Sequence, residues 1–181
     1  MKKNIIVYAS KTGNTEKVAM GIARGFEKHG WHNDLKKLPE DYDVENPNFR
    51  FDDYDFACVG SFVYGALPAP QIRKVVYGKP ESRKITPGPK CGLVFCTYGG
   101  MHLGPKEAEP TLKHLEVDLM HQAFQVIGSL AIPGNMAGKD STNWYFPDLI
   151  NRPDGRDMKN VALFVDDVMK KLKDYPYYQT Q

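Results

Sequence analysis

What the chain lacks narrows the field before any motif is read. Cysteine is scarce: three occur in 181 residues, Cys58, Cys91 and Cys96, each inside or beside an apolar run. They cannot all pair, and no Cys-x-x-Cys spacing exists, so neither a thioredoxin-type couple nor a zinc site is indicated. Free thiols of this kind suit a reducing cytoplasm, which is where the protein is expected to work. Long hydrophobic runs are missing as well. The opening MKKNIIVYAS holds only a short apolar stretch, Ile5 to Ala9, before Lys11, too little for a signal-peptide core. Nothing later approaches the roughly 20 apolar residues of a membrane span, so no membrane partner is expected. Nor does charge of one sign dominate. Lys and Arg number 24 against 22 Asp and Glu, a net of +2, which gives no strong attraction to nucleic acid or to an acidic lipid surface.

Two nucleotide-binding signatures are also absent. Without GxxxxGK[ST] a P-loop NTPase is disfavoured, and without GxGxxG after the first apolar run so is a dinucleotide-binding Rossmann domain. That first run ends in Ala9-Ser10 rather than in acidic residues, which argues against a metal-holding receiver domain.

What is present reads as an ordinary globular chain, 41% apolar and 25% charged. Its length suits one domain, 1–181, and no repeat, low-complexity tract or linker divides it. Asn4 to Ala9 reads as a strand buried on both faces. A helix follows from Asn14 to Lys28, with Val18, Ile22 and Phe26 recurring every four positions. Gly21 and Gly25 in that helix predict close packing on the sheet, and Gly30 marks its stop. His32 to Leu38 is a more polar strand near a sheet edge, and Pro39 to Asp53 reads as irregular. Further strands are expected at Phe56 to Ser61, Cys91 to Thr97 and Phe124 to Ile132. Between and after them, helices are expected near Pro70, over Lys106 to Gln122 and over Asp157 to Lys173. The last should bury Val161, Phe164, Val168 and Leu172. Strands and helices alternating at this spacing predict an α/β fold: a three-layer, doubly wound sandwich around a five-stranded parallel sheet. Right-handed crossovers favour the strand order 2-1-3-4-5.

The most informative hexapeptide lies between the first strand and the first helix: Ser10-Lys11-Thr12-Gly13-Asn14-Thr15. Main-chain N–H groups at a helix start have no intrahelical partner and suit a bound phosphate. Ser10, Thr12 and Thr15 add hydroxyl donors, Asn14 an amide, and Gly13 allows a tight turn with bare backbone towards a ligand. The competing explanation is an ordinary capped helix start, where the same residue types are common.

This loop resembles the FMN-phosphate loop of flavodoxins, whose pattern is Thr or Ser, any residue, Thr, Gly, any residue, Thr. The match is complete. The resemblance spans Lys3 to about Leu172 and implies that FMN is the cofactor. Ligands of open α/β sheets sit beyond the carboxyl ends of the strands, which brings two further segments to the same edge. One is Gly60-Ser61-Phe62-Val63-Tyr64-Gly65-Ala66-Leu67-Pro68; the other is Thr97-Tyr98-Gly99-Gly100-Met101-His102. Both resemble the isoalloxazine loops of flavodoxin-like proteins. By that resemblance Ser61, Phe62, Tyr64, Gly65, Thr97, Tyr98, Gly99 and Gly100 join the binding set, with Tyr98, and either Tyr64 or Phe62, against the ring.

The chain departs from the flavodoxin pattern in three respects. Carriers of the family are typically acidic, whereas this chain has a pI near 8.3. The segment after the second strand shows no regular helix. The loop 133–156 after the fifth strand is longer than the short-chain pattern needs and contains Asn143-Trp144-Tyr145-Phe146. Trp144 or Tyr145 would cover the ring or shape an acceptor pocket; a loop clamped on the fold, or an oligomer contact, is an equal reading. His102, just past the ring loop, reads as a solvated histidine rather than a proton donor. His114, Asp118 and His121 share a helical face, read as an exposed polar face with no metal. No catalytic residue is assigned. Three functions follow from the resemblance: an electron carrier for a redox partner protein, an FMN-dependent NAD(P)H:quinone-type oxidoreductase acting on a small-molecule acceptor, or a binding module without flavin.

Overall fold

The computed structural model describes residues 1–42, 48–77, 88–99, 104–135 and 149–179. Three strands form the centre of the sheet: β1 (Lys3–Tyr8), β3 (Phe56–Tyr64) and β5 (Cys91–Tyr98). The polar β2 (His32–Lys37) flanks β1 at one edge and β6 (Gln125–Pro133) flanks β5 at the other. All these pairs are parallel, in the order β2-β1-β3-β5-β6. This is the expected doubly wound topology. One element was not expected: β3 continues beyond Ser61 and turns back into a two-residue antiparallel strand, β4 (Leu67–Pro68).

Alternation along β1 explains the two helical layers. Ile5, Val7 and Ala9 pack with Ala57, Val59 and Val94 against α2 (Pro70–Tyr77) and α3 (Ala108–Met120). Ile6 and Tyr8 pack on the opposite face with Cys58, Leu93 and Phe95 against α1 (Asn14–Lys28) and α4 (Gly155–Leu172). Each fully buried Ile, Val or Leu contributes about 1.5–3 kcal/mol relative to an exposed one, so a strand apolar on both faces belongs in the middle. The same logic leaves β2, with none of its residues buried and only Asn33, Asp34 and Lys36 half-covered, on the rim.

One expectation about helix faces needs correction and another an addition. Gly21 and Gly25 serve the packing of α1 on α4, not on the sheet: a Cβ at Gly25 would lie 2.8 Å from Val165 Cγ1, and one at Gly21 would meet Met158 and Val161. In α4 the buried stripe is Val161, Val165, Val168 and Leu172, so Val165 joins it; Phe164 packs inward beside Gly128 as expected but stays half-covered. The chain ends in a short α5 (Pro176–Gln179) that periodicity did not reveal. There the Tyr178 hydroxyl donates to Asp55 O (2.7 Å) and accepts from Cys91 N–H (2.7 Å), which ties the terminus to the amino end of the sheet.

Cys58, Cys91 and Cys96 are buried and unpaired, and burial pushes the Cys96 thiol up to about 12, so these sulfurs are inert. Among the described residues, no helix is long and apolar enough to cross a membrane.

Candidate functional site

The carboxyl ends of β1, β3, β5 and β6 meet on one rim of the sheet, and the start of α1 rises from it. Ala9 N–H still bonds Gly60 O (3.1 Å) and Leu38 N–H bonds Tyr8 O (2.8 Å), so the sheet supports the chain up to the loop. Gly13 is the N-cap of α1, at φ +86°, a left-handed conformation that costs an L side chain roughly 1–2 kcal/mol. Among the described residues, a Cβ there would meet nothing within 4 Å.

The donors around Gly13 are left available in a particular way. Lys17 N–H makes the first helical bond, to Gly13 O (2.9 Å), and Glu16 N–H is taken by Ser10 Oγ (3.2 Å). Among the described residues, the main-chain N–H groups of Lys11 to Thr15 have no acceptor. Ser10 accepts with its oxygen and so keeps its proton for another partner. Thr12 does the same, accepting from Asn14 Nδ2 at 3.1 Å. Thr15 is fully buried and shares a 2.8 Å hydrogen bond with Thr97, which locks the first turn of α1 to the end of β5.

The other long helix shows what a sealed start looks like. At α4, Asp154 and Asp157 form a complete capping box, with Asp154 Oδ1 accepting from Arg156 and Asp157 N–H and Asp157 Oδ2 from Asp154 N–H. Those N–H bonds, with Arg156, hold the Asp154 carboxyl down at about 2. The α1 start has no such cap. Its one acidic residue, Glu16, is engaged elsewhere, by Lys37 (2.9 Å) and by the Tyr8 hydroxyl (3.1 Å), and the Lys37 bond lowers its pKa. Among the described residues, amides without an acceptor, two hydroxyl protons and the positive end of a helix dipole, with no carboxylate bonded to them, make a donor set that fits a phosphate.

Sequence reasoning missed the wall beside this loop. Gly134 N–H bonds Tyr98 O (2.9 Å), Asn135 N–H bonds Arg152 O (3.0 Å), and Asn135 O accepts from Asn14 Nδ2 (2.7 Å). Gly134 is there for closeness: a Cβ would lie 2.8 Å from Asn14 Nδ2 and 3.1 Å from its Cβ. Lys17 Nζ donates to Pro153 O at 2.5 Å, and Arg152 makes a two-pronged ion pair with the buried Asp157. The Pro-Gly-Asn sequence at 133–135 signals a turn, but nothing local connects it to Asn14.

The ring-loop residues fall into two groups. Thr97, Tyr98 and Gly99 lie at the rim, with Thr97 bonded to Thr15 at the start of α1 and Tyr98 half-buried. Burial raises the Tyr98 hydroxyl; the nearby Arg152 guanidinium works against that shift and Asp157 with it. On the β3 side, Phe62 is half-buried and touches Tyr64 edge to face (6.4 Å between centroids), while Tyr64 is 62% exposed. Ser61 is buried, its hydroxyl donating to Phe62 O and accepting from Ala69 N–H, both at 2.8 Å, so it secures the hairpin. Gly65 and Ala66 form the tip, both at positive φ (56° and 65°). Gly100, Met101, His102 and the segment Asn143 to Phe146 lie outside the described residues.

The face of α3 read as exposed and polar is not so. Asp118 is 2% exposed and sits beside Arg73 of α2, with Nε and Oδ2 3.9 Å apart. His114 contacts Pro110 O through Nδ1 (2.8 Å), and His121 meets the Tyr77 ring edge-on (5.4 Å). The i, i+4, i+7 spacing of His114, Asp118 and His121 winds partly under α2 and partly to the surface.

The sheet order, the two helical layers and the loop that leads from β1 into α1 at the switch point define an open α/β protein of the flavodoxin fold. Comparison with known proteins agrees. Residues 6–81 match the family model of flavodoxins. An oxidised flavodoxin from Bacillus cereus aligns at TM-score 0.67 and 18% identity, covering 93% of this chain and 98% of its own. A second flavodoxin from the same organism gives 0.65 and 20% over 93% and 99%. A WrbA-like flavodoxin from Agrobacterium tumefaciens gives 0.64 and 16% over 97% and 99%. No curated protein matches. The chain has a flavodoxin-like fold.

Proposed function

We propose that the protein binds FMN at the rim formed by β1, β3 and β5 and passes electrons through it. The observation that carries this reading is the start of α1, where, among the described residues, the amides of Lys11 to Thr15 have no acceptor beside Gly13. Ser10, Thr12, Gly13, Asn14 and Thr15 would hold the phosphate. Tyr98 and Gly99 on one side, and Phe62 or Tyr64 on the other, would flank the ring, with Ser61, Gly65 and Thr97 supporting those loops. Bound FMN supplies reversible electron uptake; the protein's part is to hold it, shield one edge from water and present the other to a partner. The unpaired thiols are consistent with work in the reducing cytoplasm.

The sequence pI near 8.3 favours a second reading within the same class. An acidic surface helps a carrier dock on basic partners, and this chain does not supply one by composition. The 134–154 connection between β6 and α4 is longer than a short-chain carrier needs, and its described ends, Gly134-Asn135 and Arg152-Pro153, bond to the first turn of α1, where a small-molecule site would form. In that reading FMN takes hydride from NAD(P)H and reduces a quinone-type acceptor.

Visible spectroscopy of the purified protein loaded with FMN separates the readings. A yellow protein is expected. Bleaching by NADH or NADPH, followed by reoxidation with a quinone, identifies the reductase. Reduction only by dithionite or a partner reductase identifies the carrier. A protein that stays colourless in excess FMN contradicts both readings and leaves a flavin-free binding module.

A further inference from the structure

The ion pair between Arg152 and Asp157 is more than a helix cap requires. A capping box needs only a carboxylate to accept the N-cap N–H, and Asp157 does so from Asp154 at 2.7 Å. Yet both Asp157 oxygens also receive Arg152, through Nε and Nη2, with the Asp157 side chain 2% and the Arg152 side chain 19% exposed. Burying two charges carries a desolvation cost that attraction offsets only when geometry is fixed, so the pair holds residues 152–154 in one conformation.

That fixed segment supports the α1 loop through a short chain of bonds. Arg152 O accepts from Asn135 N–H (3.0 Å), and Asn135 O accepts from Asn14 Nδ2 (2.7 Å). The same Asn14 amide donates to Thr12 Oγ1 (3.1 Å). With its lone pair engaged, Thr12 is left to donate its proton to an anion. Pro153 O anchors Lys17 Nζ one turn further up α1. The charges of Arg152 and Asp157 neutralise each other, so the pair adds geometry to the loop rather than positive potential.

We propose that Arg152 and Asp157 are positioning residues for the phosphate loop: their ion pair sets the 152–153 main chain, which aims Asn14 and Thr12 by way of Asn135. The ligand half of this proposal rests on the FMN reading above; the loop half does not.

Two variants test it. Arg152→Lys keeps the charge but loses the planar fork. The double variant Arg152→Gln with Asp157→Asn removes both charges, so neither is left buried and unpaired. In the ligand-free protein, hydrogen exchange at the Gly134 and Asn135 amides is expected to quicken about tenfold or more, as for the loss of one well-held hydrogen bond, while β1, β3 and β5 exchange as in wild type. In the flavin arm, FMN affinity is expected to fall about tenfold or more and riboflavin affinity, which does not use the phosphate loop, to stay unchanged. Wild-type exchange at Asn135 in both variants overturns the proposal. So does an equal loss of FMN and riboflavin affinity, the mark of a merely structural role. A wild-type protein that takes up no FMN ends the flavin reading alone, and the exchange arm still decides the loop half.

Discussion

A Gly60→Ala protein is expected to melt roughly 6–12 °C below wild type, the shift that corresponds to about 3 kcal/mol in a chain of this size. Gly60 occupies the middle of β3, paired with Tyr8 on one side and Phe95 on the other. A Cβ there would lie 2.0 Å from Phe95 Cζ and 2.3 Å from Cε2, far inside contact distance. Phe95 is fully buried among the α1 and α4 core residues, and its neighbours leave it little room to swing aside. Adding Phe95→Leu removes the ring that collides, so the double variant is expected to be more stable than Gly60→Ala alone, a favourable coupling in a double-mutant cycle. Thermal or denaturant melting reads both results. A Gly60→Ala protein with the wild-type midpoint contradicts the packing described for the centre of the sheet.

The second large effect falls on ligand affinity. Gly134→Val is expected to weaken FMN binding about 10- to 100-fold, the loss of one or two hydrogen bonds to a charged phosphate. The added side chain would occupy the space of Asn14, whose Nδ2, Cβ and Cγ all lie within 3.1 Å of where a Cβ would stand at position 134. Asn14 then releases Asn135 O and Thr12 Oγ1, and the loop loses its support. Riboflavin affinity should change little. Gly155→Ala is the matched control, since a Cβ there meets nothing within 4 Å. Fluorescence quenching on titration measures all three. Equal FMN affinity in Gly134→Val and wild type would separate Asn14 from phosphate binding.

Much of this architecture was legible in the residues. Ile5 to Ala9 and Cys91 to Thr97 are apolar without alternation, which only a strand covered on both faces tolerates, and both are central. The polar His32 to Lys37 could not be central and is not. Ser10 to Thr15 was readable because its chemistry is local: hydroxyls, a glycine and a helix start are contiguous in the chain.

What escaped the sequence depends on distant partners. Asn14 meets residue 135 across 121 positions, and Gly134 is small because of Asn14, so neither requirement leaves a local pattern. Gly60 read as part of a ring-binding loop, whereas its lack of a side chain serves Phe95. The β3–β4 hairpin was hidden by its turn, since Ala66 at φ +65° is not a residue that advertises a left-handed conformation. Asp118 read as exposed because α3 has polar residues around most of its circumference, and only the position of α2 decides which of them is covered.

The central claim concerns phosphate at the start of α1, and ³¹P NMR of FMN on the protein addresses it directly. A free phosphomonoester loses its second proton with a pKa near 6, and donors that favour the dianion lower that value. With the amides of Lys11 to Thr15 and the hydroxyls of Ser10 and Thr12 around it, the bound phosphorus resonance is predicted to shift from the free position and to hold constant between roughly pH 5 and 8. A bound FMN whose phosphorus titrates near pH 6 as it does in solution would place the phosphate outside this loop and contradict the account.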